Sequence, residues 1–282
     1  MTNNQPNSSQ NNIEQIKFDL TGKNQSGGDI SLEGNIDTKS TVSGDVNLKT
    51  KELYIADIVG LVPVALSVKS GKINSDLKIQ LTPEDPILVY GNASLEGISW
   101  QLPQTPQMFS NTQGNIKFQG TGIEIDNLVS NYGKIPLVAK GSIDQKRGFN
   151  LTGVVNAVSA SQALETLKIK SPVPISGVLK ADLQLLGDIS QPVLLGQISS
   201  VKNAQIDRLD FERVSGKFEL TTRTPRIAFK DIQVVSSLGG ELTGTGKITL
   251  GQIPEVSMSL IAKNLDGDAL SRVYGQRNNA DF

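Results

Sequence analysis

The chain has 282 residues, 27 basic and 28 acidic, a formal net charge of −1, and neither cysteine nor histidine. The balanced charge gives no electrostatic footprint for nucleic acid. The missing residue types exclude disulfides, thiol nucleophiles, Cys/His zinc sites and histidine-based triads. Aromatic residues make up only 5%; Gly, Thr, Ser, Val, Ile and Leu dominate, as in a strand-rich protein with many turns.

Residues 1–12, "MTNNQPNSSQNN", are low-complexity and read as disordered or linker. "GGDISLEGNI" (27–36) follows as a glycine-punctuated alternating strand. "KELYIADIVGL" (51–61) places Leu53 and Ile58 at roughly helical spacing and is read as a short helix. The apolar run 55–66 contains Asp57 and Pro63, and the N-terminus is polar. No segment therefore reads as a membrane span or signal peptide, and any anchor is expected outside this chain. After Gly71, Ile73, Leu77, Ile79 and Leu81 alternate with Lys72, Asn74, Asp76, Lys78 and Gln80, a strand with one apolar face. Trp100 lies beside prolines and is read as a packing residue.

"YGKIPLVAKGSI" (132–143) repeats the glycine-rich layout. Phe149, Leu151, Val155 and Ala157 then share an apolar face. "SQALETLK" (161–168) and "DALSRVYG" (268–275) read as short helices capped by Ser161 and Asp268. Leu179, Ala181, Leu183 and Leu185 form another stripe, as do Val256, Met258, Leu260 and Ala262. "LGGELTGTGKITL" (238–250) is not a phosphate loop: position 241 is Glu where a P-loop needs glycine, and Ile248 follows Lys247. Its alternation is that of a strand, in which glycine marks a bend or close approach.

These segments recur. Ile36, Ile143 and Ile248 each follow a glycine by two positions and lie 107 and 105 residues apart. Gly71, Asp76, Leu77 and Pro86 match Gly177, Asp182, Leu183 and Pro192 at an offset of 106. The chain therefore divides into a linker (1–12), the C-terminal part of a first repeat (13–61), a second repeat (62–168), a third (169–275) and a tail (276–282). The expected fold is mostly β: a long curved antiparallel sheet forming an open apolar groove, with short helices between repeats. The groove is expected to be lined by Ile73, Leu77, Ile79, Phe118, Ile125, Phe149, Leu151, Leu179, Leu183, Leu185, Phe218, Leu220, Phe229, Val256, Met258 and Leu260.

Catalytic groupings are weak. Glu84-Asp85 precedes Pro86 and suits a turn, while Asp266-Gly-Asp268 suits a helix start and lacks the rest of a calcium loop. No enzyme, cofactor or metal site is expected.

The order of "GVLKADLQLLG", "QPVLLGQISSVKNAQI", "VSSLGGELTGTGKITL" and "PEVSMSLIAKNLDGDALSRVYG" resembles the repeat of TamB proteins. These belong to the AsmA-like superfamily and have chloroplast envelope relatives. The resemblance spans about residues 13–275. It implies a β-taco segment of a periplasmic envelope protein, held to the inner membrane by a segment absent from this chain. It also implies a non-enzymatic role: carrying phospholipids between inner and outer membranes by their acyl chains. An alternative is a periplasmic scaffold for the assembly and secretion of outer-membrane β-barrels or autotransporters, with a BamA-like outer-membrane partner and nascent outer-membrane proteins as clients. A repetitive surface adhesin with a filled core is a further alternative.

Overall fold

The computed structural model describes residues 15–24, 27–38, 42–55, 67–83, 86–101, 105–221, 226–249 and 255–275. The linker and tail expectations, Ile58 and the Glu84-Asp85 pair lie outside them.

Strands dominate because alternating β-branched and polar residues suit a half-buried pleated surface. In chain order they are β1 (Gln15–Lys23), β2 (Asp29–Asp37), β3 (Ser43–Tyr54), β4 (Ser67–Leu81), β5 (Leu88–Gln101), β6 (Phe109–Gly120), β7 (Gly122–Tyr132), β8 (Ile135–Asp144) and β9 (Gly148–Ser159). After helix α1 (Ala160–Thr166) come β10 (Ile175–Ser176), β11 (Val178–Gly187), β12 (Val193–Ser200), β13 (Ala204–Ile206) and β14 (Leu209–Thr221). β15 (Arg226–Ser236), β16 (Glu241–Thr249), β17 (Glu255–Lys263) and helix α2 (Gly267–Gly275) complete the chain.

All seventeen strands belong to one open antiparallel sheet that does not close into a barrel. β1 to β9 pair consecutively. β9 then pairs β11, β11 pairs β12, and β12 pairs β14. Beyond Ser200 the short strand β13 takes over the pairing with β14, and β10 adds to β13. β14 to β17 again pair in order. Among the described residues close interstrand contact follows these pairings, so the strands form one continuous sheet.

Bulges recur through the sheet. Register shifts fall between Thr50 and Leu53, Leu95 and Ile98, Ile125 and Leu128, and Phe229 and Ile232. In each, two residues stand where regular alternation allows one. Glu52 and Asp231 take the left-handed conformation there, with φ of 50° and 51°. Each meets a lysine from the neighbouring strand, Lys72 at 3.5 Å and Lys217 at 2.8 Å. Bulges sharpen twist and bend the strand. Leu53, at 2% exposure, and Ile98, at 3%, are buried directly beside such bulges.

Several expectations are corrected. Lys51–Tyr54 belong to β3 rather than to a helix, because the bulge returns Leu53 to the apolar face opposite Ile73. Ala157 leaves the face: β9 bulges, and Val158 takes its place opposite Leu179. β4 begins at Ser67 and passes through Gly71, whereas Gly177 interrupts β10 and β11. Both helices are capped two residues earlier than expected. Ser159, not Ser161, caps α1 by accepting from the Gln162 N–H at 3.2 Å. Asp266, not Asp268, accepts from the N–H groups of Asp268 and Ala269 at 3.0 Å each.

α1 packs at the ends of β8, β9 and β10. The Ala160 N–H donates to the Gly177 carbonyl, and the Lys134 N–H donates to the buried Thr166 hydroxyl. Nearby, Trp100 stacks on Phe109 at 4.2 Å, and Phe109 meets Tyr132 at 4.9 Å. The Trp100 indole N–H donates to Thr112, whose hydroxyl pairs with Ser130. Trp100 is thus a satisfied packing residue.

Candidate apolar trough

Directly opposed residues of an antiparallel pair share a face, so the register can be followed across the sheet one rung at a time. One rung runs Leu20, Leu32, Leu48, Leu77, Gly91, Phe118, Ile123, Ile143, Phe149 from β1 to β9. The next runs Ile116, Ile125, Gly141, Leu151, Leu185, Leu194, Leu220, Ile227, Ile248, Val256 from β6 to β17. A third joins Leu183, Gly196, Phe218, Phe229, Gly246 and Met258. Ile73 and Ile79 lie on the same face of β4, Leu179 on β11 and Leu260 on β17. Every residue expected to line the groove therefore stands on one continuous face.

Burial varies along that face. Ile73, Leu77 and Ile125 are buried. Ile79, Phe118, Phe149, Leu151, Leu179, Leu183, Leu185, Phe218, Leu220 and Phe229 are half-buried, while Val256, Met258 and Leu260 are exposed. The opposite face is mostly polar, interrupted by a valine rung of Val129, Val138 and Val154 and by Tyr90, Leu186 and Ile261. Exposed ion pairs Lys49–Asp76 (3.4 Å), Lys78–Asp45 (3.3 Å) and Lys230–Glu219 (3.3 Å) bridge adjacent strands there; such pairs contribute about 0–1 kcal/mol each.

Alternation alone missed Leu53, Ile98, Leu128, Val158 and Ile232, which the bulges return to the apolar face. The signal was present: "TKEL", "LEGI", "IDNL", "VNAV" and "FKDI" each put two residues between face positions instead of one.

Glycines and phenylalanines are placed jointly. Five of the chain's eight phenylalanines stand opposite a glycine on the neighbouring strand: Phe18 and Gly34, Phe118 and Gly91, Phe149 and Gly187, Phe218 and Gly196, Phe229 and Gly246. Gly91 and Gly141 have φ of +120° and +127°, and a Cβ on either would strike the carbonyl of Asp76 or Asn150 on the adjacent strand. Only glycine permits that approach.

Reactive chemistry is sparse. Among the described residues no three His, Cys, Asp or Glu side chains gather to hold a metal, and no helix is long and apolar enough to cross a membrane. Asp144 is the carboxylate most clearly shifted, and its role is a turn. Its Oδ1 accepts from the backbone N–H groups of Arg147 (2.8 Å) and Lys146 (3.0 Å), and Oδ2 accepts from the Thr121 hydroxyl (3.0 Å). The Arg147 N–H contributes most to lowering its pKa to about 2; burial opposes the shift.

Comparison with known proteins agrees with this arrangement. The TamB C-terminal domain family matches residues 17–232. Protein TIC236, chloroplastic, of Arabidopsis thaliana is 21% identical over 288 aligned positions, covering 91% of this chain and 13% of its own length. Protein SUBSTANDARD STARCH GRAIN 4, chloroplastic, of Oryza sativa subsp. japonica is 21% identical over 277 positions, covering 87% of this chain and 13% of its own. The chain thus spans about an eighth of these relatives. No solved structure matches it. With the family match covering most of the open sheet, the chain belongs to the TamB family.

Proposed function

We propose that the chain is a non-enzymatic segment of an envelope protein whose apolar trough conducts phospholipids between inner and outer membranes. On this reading the segments 62–168 and 169–275 are successive repeats along the path. The protein works in the periplasm, and an anchor elsewhere holds it to the inner membrane. The observation that carries the proposal is the continuous apolar face that the described residues form across one open sheet. Removing each acyl CH₂ from water is worth about 0.8 kcal/mol, and a trough of aliphatic side chains supplies that gain without specific contacts. The headgroup stays in water at the open side. Moving from one rung to the next exchanges equivalent contacts, so translation meets no large barrier.

Mass spectrometry of organic extracts from the purified chain tests this. Stoichiometric phospholipid is expected, and Leu183→Asp and Leu260→Asp should reduce it while the sheet still folds. A well-folded chain without lipid would sink the conduit.

A second reading uses the same sheet, to which a nascent outer-membrane strand would be held by strand addition. A BamA-like partner would suit that scaffold role. A photoreactive residue at position 260 separates the two: phospholipid adducts support the conduit, and adducts with unfolded barrel protein support the scaffold.

A further inference from the structure

The glycines of the apolar face differ in what holds them. Gly91 and Gly141 are fixed by positive φ and by the neighbouring backbone. Gly196 lies outside the left-handed region, so its backbone admits other residues. What excludes a side chain there is the ring of Phe218: a Cβ on Gly196 would overlap Phe218 Cε1 and Cζ, and would meet Leu183 Cδ2 at 3.0 Å. The same arrangement occurs at the start of the sheet, where a Cβ on Gly34 would lie 2.6 Å from Phe18 Cζ. Gly246 occupies the same rung as Gly196 and behaves differently. A Cβ there meets Met258 Cγ at 3.5 Å and Ile232 Cδ1 at 3.6 Å, which is ordinary contact. Phe218 thus lies down across Gly196 on one side. On the other, Phe229 sits 6.4 Å away at a 50° tilt.

We propose that the seat formed by Gly196 sets the clearance of the trough by holding the Phe218 ring flat against its floor. This rests on the conduit reading. A ring lying on a glycine covers the floor without rising into the path of a hydrocarbon chain. A methyl group on residue 196 lifts the ring, and the side chain already filling the space toward β15 leaves the lumen as its way out. Gly196 is then a clearance-determining residue, and the occupant is an acyl chain running across the rungs.

The test incubates the purified chain with vesicles of phosphatidylethanolamine and phosphatidylglycerol, re-isolates it, and measures lipid per protein by mass spectrometry, with circular dichroism to monitor folding. Gly196→Ala should capture about tenfold less lipid at limiting vesicle concentration, from the cost of overpacking. Thr245→Ala, exposed on the opposite face of β16, should capture as much as wild type. Adding Phe218→Leu to Gly196→Ala should restore capture. Equal capture by Gly196→Ala and wild type, or no restoration in the double variant, overturns the role of the ring while leaving the conduit intact. Wild type without lipid overturns the conduit and this inference with it. Should Gly196→Ala fail to fold, Phe218→Ala decides: emptying the seat should raise capture of branched diphytanoyl phosphatidylcholine relative to straight-chain lipid, and an unchanged ratio overturns the proposal.

Discussion

β9 with α1 and β17 with α2 carry similar sequence patterns about 107 residues apart, yet they live in different surroundings. In β9, Val155 is 4% exposed and Val158 8%; in β17, Val256 is 52% exposed and Met258 57%. α1 buries Ala160 and Thr166, while α2 buries nothing. The alternation is equally good in both. β9 has β8 on one side and β11 on the other, whereas β17 has only β16 among the described residues. Within this open sheet burial is supplied sideways by the next strand, much as each unit of a repeat protein covers its neighbour.

The glycines beside these two strands test that difference most severely. Gly141, opposite Leu151 of β9, combines a φ of +127° with close approach to the Asn150 carbonyl. Gly141→Ala should cost about 2–4 kcal/mol in urea unfolding, from backbone strain and overpacking together. Gly246, opposite Met258 of β17, has room for a methyl group, so Gly246→Ala should change stability by less than about 1 kcal/mol. Equal losses would mean that Gly246 is confined as tightly as Gly141.

Truncating side chains probes the comparison next. Val155→Ala should cost about 2 kcal/mol, a buried apolar truncation that leaves a small cavity. Met258→Ala should stay within about 0.5 kcal/mol, because its side chain is already largely in water. If Met258→Ala costs as much as Val155→Ala, something covers β17 in solution.

Period-two alternation made the fold class and the apolar face legible in sequence, because an antiparallel register keeps opposed residues on one face. It failed at the bulges. "KELY" looked helical because the inserted residue at Glu52 breaks the alternation ahead of Leu53, so local spacing imitated a helix where tertiary pairing imposed a strand. The caps failed for a related reason: a serine or aspartate at the start of a helical pattern cannot be told from one two residues earlier until the first free N–H groups are seen. The pairing of Phe218 with Gly196 was invisible, because nothing within either segment specifies which strands become neighbours.

The smallest effect concerns the turn that leads into β9. Asp144 closes the β8–β9 connection, and the Arg147 N–H, with help from the Thr121 hydroxyl and the Lys146 N–H, holds its carboxyl at about 2 against an ordinary value of 3.8. A carboxylate whose folded pKa is depressed stabilises the fold above its unfolded pKa, and that contribution is lost as pH falls through the folded value. Asp144→Asn keeps the shape and one acceptor but not the charge. It should be less stable than wild type at pH 7, by less than Val155→Ala, and the two proteins should converge as pH falls from about 4 towards about 2. Urea midpoints across that window measure the gap. A gap that stays constant down to pH 2 would show that Asp144 fixes the turn by hydrogen-bond geometry alone, and that the entry to β9 is held without charge.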